Sequence, residues 1–222
     1  MVSRITGLIR ETLVARAFGA SVYTDAFNVA FRIPNLLRRL FAEGAFSQAF
    51  IPILGEIKSR DGDAATHQLV DAVATVLAWT LVAVCLLGVI GAPLVVGAVA
   101  TGFKARGDAF ALAVVMNRIM FPYIGLISMV SLASGILNIH RNFSVPAFTP
   151  VLLNLSVIGA ALALAPQLDT PVYALAWGVL AGGVAQLALQ VPALARVGML
   201  PRVRFDLRAA WHHPGVRRVL KL

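Results

Sequence analysis

The sequence predicts an all-α fold that crosses a membrane several times. Hydrophobic residues make up 59% of the chain and charged residues 13%, with a mean hydropathy of +0.83. Ordinary soluble domains carry roughly 45–50% apolar and about 25% charged residues. In addition, four long stretches contain no formal charge. A soluble chain of 222 residues has too little interior to hide that much apolar surface, whereas a bilayer accepts it on the outside of the fold.

The elements follow in order. Residues 2–20 have helical composition but carry Arg4, Arg10, Glu11 and Arg16. A second helix is expected over 25–58, with Thr24 or Asp25 as N-cap and kinks or breaks at Pro34 and Pro52. It holds Arg32, Arg38, Arg39 and Glu43. The charge-free stretches 72–103, 119–139, 142–168 and 171–195 each reach the roughly 20 apolar residues a span requires. Backbone in lipid must satisfy its own hydrogen bonds, so these are helices and not open strands. Expected connections at 18–24, 56–66, 101–108, 140–146 and 166–171 are short, which implies antiparallel neighbours.

The net charge is +9 and the sequence pI about 11.0. The longest basic run follows the last apolar stretch: Arg196, Arg202, Arg204, Arg208, Arg217, Arg218 and Lys221. With a cytoplasmic amino terminus, six helices put this tail, Lys58, Arg60 and Arg141 inside and leave Lys104 and Arg106 outside. That bias matches the orientation rule and suits anionic membrane lipids. No nucleic-acid-binding module accompanies the charge. Cys85 is the single cysteine, so no internal disulfide forms, and no Cys/His cluster suggests a metal. Charges spread through the first turns exclude a cleavable signal peptide.

Both ends read as continuing. The first residues resemble mid-helix sequence, and His213-Pro214-Gly215 reads as the approach to another helix. The expected organisation is a transmembrane lobe over 1–199 and a basic cytoplasmic segment over 200–222, within a longer transporter. The alternative is a complete six-helix protein with a basic tail.

Intramembrane charge is the functional signal, since a charged side chain at a helix centre costs about 2.5–3.5 kcal/mol on insertion scales. Asp25, Arg32 and Arg39 recur every seven residues on one helical face, and Arg39 and Glu43 stand four apart. Arginine outnumbers acid across the first two helices, which favours an anionic guest, because guanidinium pairs with phosphate through two hydrogen bonds. The competing explanation is buried ion pairs with snorkelling arginines. Arg118 either points inward or marks the membrane edge. Gly178 and Gly182 form a close-packing GxxxG pair. No catalytic set, nucleophile elbow, P-loop or zinc motif appears.

The run SRITGLIRE at 3–11, TDAF at 24–27, FRIPNLLRR at 31–39 and AEGAFSQAF at 42–50 resembles the MurJ (MviN) family of lipid II flippases. FPY at 121–123, Asn138, FSVPAF at 143–148 and PVLLN at 150–154 extend the resemblance over essentially the whole chain. It implies the six-helix amino-terminal lobe of a fourteen-helix, MATE-like fold of the multidrug/oligosaccharidyl-lipid/polysaccharide exporter superfamily. It further implies movement of the undecaprenyl-pyrophosphate-linked peptidoglycan precursor, lipid II, across the bacterial cytoplasmic (inner) membrane by alternating access. By the same resemblance Arg4, Arg10, Asp25 and Arg38 are substrate-binding, whereas spacing and position alone make Arg32, Arg39, Glu43 and Arg118 candidate cavity or ion-pair positions. No cofactor is implied for this lobe; sodium or membrane potential would act through the other lobe. Membrane lipids and cell-wall synthesis enzymes are the further expected partners. Two other readings are a related exporter of another lipid-linked oligosaccharide or a drug, and a membrane scaffold for cell-wall enzymes.

Overall fold

The computed structural model describes residues 2–19, 21–38, 45–103, 107–212 and 214–220, without the side chains of 37–38, 45–47, 103 and 220. Every regular element among them is helical.

Helix α1 (Val2–Phe18) buries none of its residues fully and lies along α7. It stops at Gly19, whose φ of 62° is the left-handed conformation that ends many helices. Helix α2 (Val22–Arg38) begins earlier than the sequence predicts. Its cap is Ser21, whose hydroxyl accepts the Thr24 N–H at 3.4 Å, in place of Thr24 or Asp25. Ala26, Ala30, Ile33 and Pro34 are its buried residues among those described, and it packs on α5. Pro34 lies inside α2 and Pro52 inside α3.

Helix α3 (Ala45–Ile90) corrects the expected loop at 56–66. The chain is helical on both sides of a single corner at Gly62 (φ 81°, ψ −174°), a conformation open to glycine. Glu56, Lys58, Arg60, Asp61 and Asp63 crowd this corner, which places it outside the hydrocarbon. After Gly91 the chain continues as α4 (Ala92–Val99), with a proline in its first turn, and a short 3₁₀ turn at Thr101–Phe103.

The helix expected from 119 begins at Gly107. Helix α5 (Gly107–Met120) joins α6 (Tyr123–Ile139) through a turn at Phe121 and Pro122, where proline removes a backbone donor. Arg118 therefore stands in the last turn of α5 instead of at a helix start. Helix α7 (Ser144–Gly159) runs on through a π turn at Ala160–Leu164 and a 3₁₀ turn at Ala165–Gln167, close to the expected 142–168. Helix α8 (Tyr173–Arg196) matches 171–195 within two residues.

Gly178 and Gly182 bring α8 against α7 as their spacing predicts. A Cβ on Gly178 would stand 2.9 Å from the Val157 Cα, and one on Gly182 would stand 3.1 Å from the Leu153 Cα. Among the described residues four helical stretches are long and apolar enough to cross a bilayer: Gln48–Ile90, Gly107–Ile139, Ser144–Gln167 and Tyr173–Arg196.

The basic tail folds back as two short helices, α9 (Leu207–Trp211) and α10 (Pro214–Leu220), both packed on α3. Arg218 pairs bidentately with Glu56 at 3.2 and 2.8 Å. The hydrogen bonds and charge of Arg218 hold the Glu56 carboxyl below the usual range.

Candidate functional site

Where α1 crosses α7, one side chain organises the contact. Asn154 sits buried on α7 in an otherwise charge-free span. Its amide nitrogen donates to the Ser3 carbonyl at 3.2 Å and to the Thr6 hydroxyl at 3.0 Å. Its amide oxygen accepts from the Arg10 guanidinium at 3.1 Å. Every polar atom of Asn154 is thus used to hold α1 in place and to aim Arg10.

Arg10 reaches into two adjoining cavities of about 580 and 380 Å³. The larger is also lined by Arg4, and its wall mixes apolar side chains such as Ile127, Val130 and Leu153 with uncharged polar ones: Ser131 and Ser134 from α6, Thr149 and Asn154 from α7, Gln186 from α8. Gln190 donates to the Ser134 hydroxyl at 2.9 Å and to the Thr149 hydroxyl at 3.1 Å. Gln186 donates to the Thr149 carbonyl at 2.9 Å, while its amide oxygen is buried without a partner among the described residues. The smaller cavity adds Glu11, Thr24, Phe27 and Asn28, with Phe31 shared between the two.

The electrostatics of this space are cationic. Glu11 accepts a hydrogen bond from Arg10 at 3.3 Å, and its side chain is 71% exposed against 25% for Arg10, so the acid lies on the open side of the arginine. Arg4 has no ion-pair partner among the described residues. The arrangement therefore offers two guanidinium groups to an anion, and hydroxyls and amides to a polar, neutral remainder.

The other expected residues are placed differently. Asp25 and Arg32 are exposed on α2 and line neither cavity. The α2 stripe that does line them is Thr24, Phe27, Asn28, Phe31 and Asn35, which is polar and aromatic instead of charged. Arg118 is exposed, donates to the Val89 carbonyl at 3.3 Å and lines neither cavity. Arg38 ends α2 with its side chain outside the described residues, and Arg39 and Glu43 lie outside them entirely. Asn154, Gln186 and Gln190 went unassigned in the sequence. The signal for them was an amide within an apolar span, where leaving it unpaired is costly. Among the described residues no group of three or more His, Cys, Asp or Glu side chains is placed to hold a metal ion.

Helical spans of bilayer length bordering an arginine-bearing cavity define a multi-pass membrane protein. A family model described as lipid II flippase MurJ matches residues 14–222. The chain belongs to that family. It is 60% identical to a lipid II flippase MurJ of Burkholderia cenocepacia, over 99% of this chain and 43% of that protein. It is 38% identical to a probable lipid II flippase MurJ of Haemophilus influenzae, over 100% of this chain and 44% of that protein. The chain thus spans less than half the length of these relatives. A solved structure of a lipid II flippase MurJ in an inward closed conformation superposes with a TM-score of 0.76 at 23% identity, covering 99% of this chain and 44% of that one. The two share a fold.

Proposed function

We propose that this chain forms one lobe of a transporter that flips lipid II from the cytoplasmic to the periplasmic leaflet of the bacterial inner membrane. Residues 1–199 are the membrane lobe, with the amino terminus cytoplasmic, and 200–222 are the cytoplasmic connection to a second lobe. One observation carries the reading: Arg10 is fixed by Asn154 and open to a cavity of about 580 Å³ that also holds Arg4. At bilayer depth such charge is tolerable beside water or an anion. The pyrophosphate supplies that anion, and the serine, threonine and glutamine wall suits the sugar and peptide.

Substrate enters from one leaflet, the lobes rock about the cavity, and the isoprenoid tail stays in the bilayer. Arg38 and Asp25 join Arg4 and Arg10 in this assignment on their flanking motifs alone, since Asp25 lines neither cavity, while Arg118 serves as a structural tie to Val89. Sodium or membrane potential drives the cycle through the other lobe. Cell-wall synthesis enzymes are the expected neighbours.

The test is the leaflet exposure of lipid II in cells depleted of their native copy and carrying the full-length gene. Arg10→Ala should lower outward exposure roughly tenfold or more, the worth of a lost charge-assisted hydrogen bond. Arg118→Ala should stay near wild type. Normal exposure with Arg10→Ala at matched expression would count against a flippase and for a scaffold.

A further inference from the structure

Helices α6 and α8 also border an apolar groove on another face. Gln186 lines the polar cavity, and its neighbour Leu187 lines an apolar groove of about 530 Å³ between α3, α6 and α8. Ala74, Ala78, Gly125 and Ala133 line the groove and leave width that larger side chains would fill. Its volume lies within the roughly 300–1,000 Å³ of small-molecule sites.

The segment at 200–206 runs past the groove, contributing Leu200, Pro201 and Val203 to its lining. The segment lacks helical structure, and its residues alternate: Pro201, Val203 and Phe205 against Arg202, Arg204 and Asp206. Three hydrogen bonds to successive turns of α3 hold it. Asp71 Oδ1 accepts the Arg202 N–H at 2.8 Å, Thr75 Oγ1 accepts the Arg204 N–H at 3.1 Å, and Trp79 Nε1–H donates to the Arg204 carbonyl at 3.1 Å. These bonds use the backbone at 202 and 204 and leave both guanidinium groups exposed. Arg202 has no ion pair among the described residues, and Arg204 has one long contact, 3.6 Å to Asp71. Phe205 is 91% exposed and stands 5.9 Å from the Trp79 ring, an aromatic pair of the kind that gathers where bilayer meets water.

An apolar groove ending beside two exposed arginines at an interfacial aromatic pair has the charge pattern of one ligand class. We propose that the groove holds an acyl chain of an anionic phospholipid and that Arg202 and Arg204 bind its phosphate. The site is separate from the polar cavity and does not rest on the flippase reading.

The test is lipid binding to the purified full-length protein by native mass spectrometry, with phosphatidylglycerol and phosphatidylcholine as probes. Phosphatidylglycerol should be preferred, at about fivefold per arginine. Combined Arg202→Ala and Arg204→Ala keeps the backbone bonds to α3 and should abolish the preference. Val82→Trp, at a half-exposed groove residue, should weaken both lipids by filling the groove. Equal binding of the two lipids by the wild-type protein overturns the proposal. So does a preference that survives the arginine changes, or undiminished binding by Val82→Trp.

Discussion

Asn154 of α7 holds Arg10 of α1 at 3.1 Å while its own amide donates to Ser3 and Thr6, so one uncharged side chain both joins two helices and aims the cavity's cation. Asn154→Ala should strand those partners and cost about 1–3 kcal/mol, measured as a lower thermal midpoint in detergent. Asn154→Asp should fold nearly as well but pair its carboxylate with Arg10 and weaken anion binding. Lipid II affinity unchanged by Asn154→Asp would show that a second carboxylate beside Arg10 does not impair the site.

The α7–α8 seam gives a packing prediction. A Cβ at Gly178 meets the Val157 backbone at 2.9 Å, whereas a Cβ at Gly159 meets nothing within 4 Å. Gly178→Val should therefore destabilise by about 1–3 kcal/mol through overpacking. Gly159→Ala should be neutral or mildly stabilising, because alanine is the better helix former. Thermal unfolding of the two variants side by side checks the contrast.

Asp71 is 6% exposed and accepts the Arg202 N–H, so it pins the chain that follows α8. Asp71→Ala should release the 200–206 segment and speed tryptic cleavage after Arg202 and Arg204 about tenfold, the effect of about 1.4 kcal/mol of lost local stability. Cleavage at the wild-type rate would mean that Thr75 and Trp79 alone suffice.

Glu56 and Arg218 give a pH prediction. The glutamate is held below its ordinary range by the arginine, so the pair is complete at neutral pH. Its contribution is lost as pH falls below the ordinary value of about 4.5 and through the lowered folded value. The protection of α10 amides relative to their intrinsic exchange rate at each pH should fall over that acid window, and Glu56→Gln should remove the dependence.

The apolar spans were legible because 142–168 and 171–195 carry no charge, a pattern few soluble folds share. The Gly62 corner was not. Its run of Glu56, Arg60, Asp61 and Asp63 reads as a loop, yet such residues also suit a helix in water, where Arg60 pairs with Glu56 at 3.6 Å and Asp61 at 3.0 Å. Helix α5 was truncated in prediction because Asp108 and Arg118 bracket its apolar positions. At the site, charge within the first two helices marked a group of arginines, and the family resemblance singled out Arg4 and Arg10 among them. Asn154, Gln186 and Gln190 did not, because an amide in an apolar helix reveals its role when its partners are seen. The heptad of Asp25 and Arg32 was read as facing the cavity; the cavity instead takes the Phe27–Phe31 side of α2.

In the proposed function Arg4 and Arg10 hold the pyrophosphate of lipid II. The direct measurement is equilibrium binding of lipid II to the purified full-length protein, alongside an undecaprenol-linked analogue lacking the pyrophosphate. Combined Arg4→Ala and Arg10→Ala should weaken lipid II by roughly tenfold or more and leave the uncharged analogue unchanged. Equal losses for both ligands, or none for lipid II, would contradict the account.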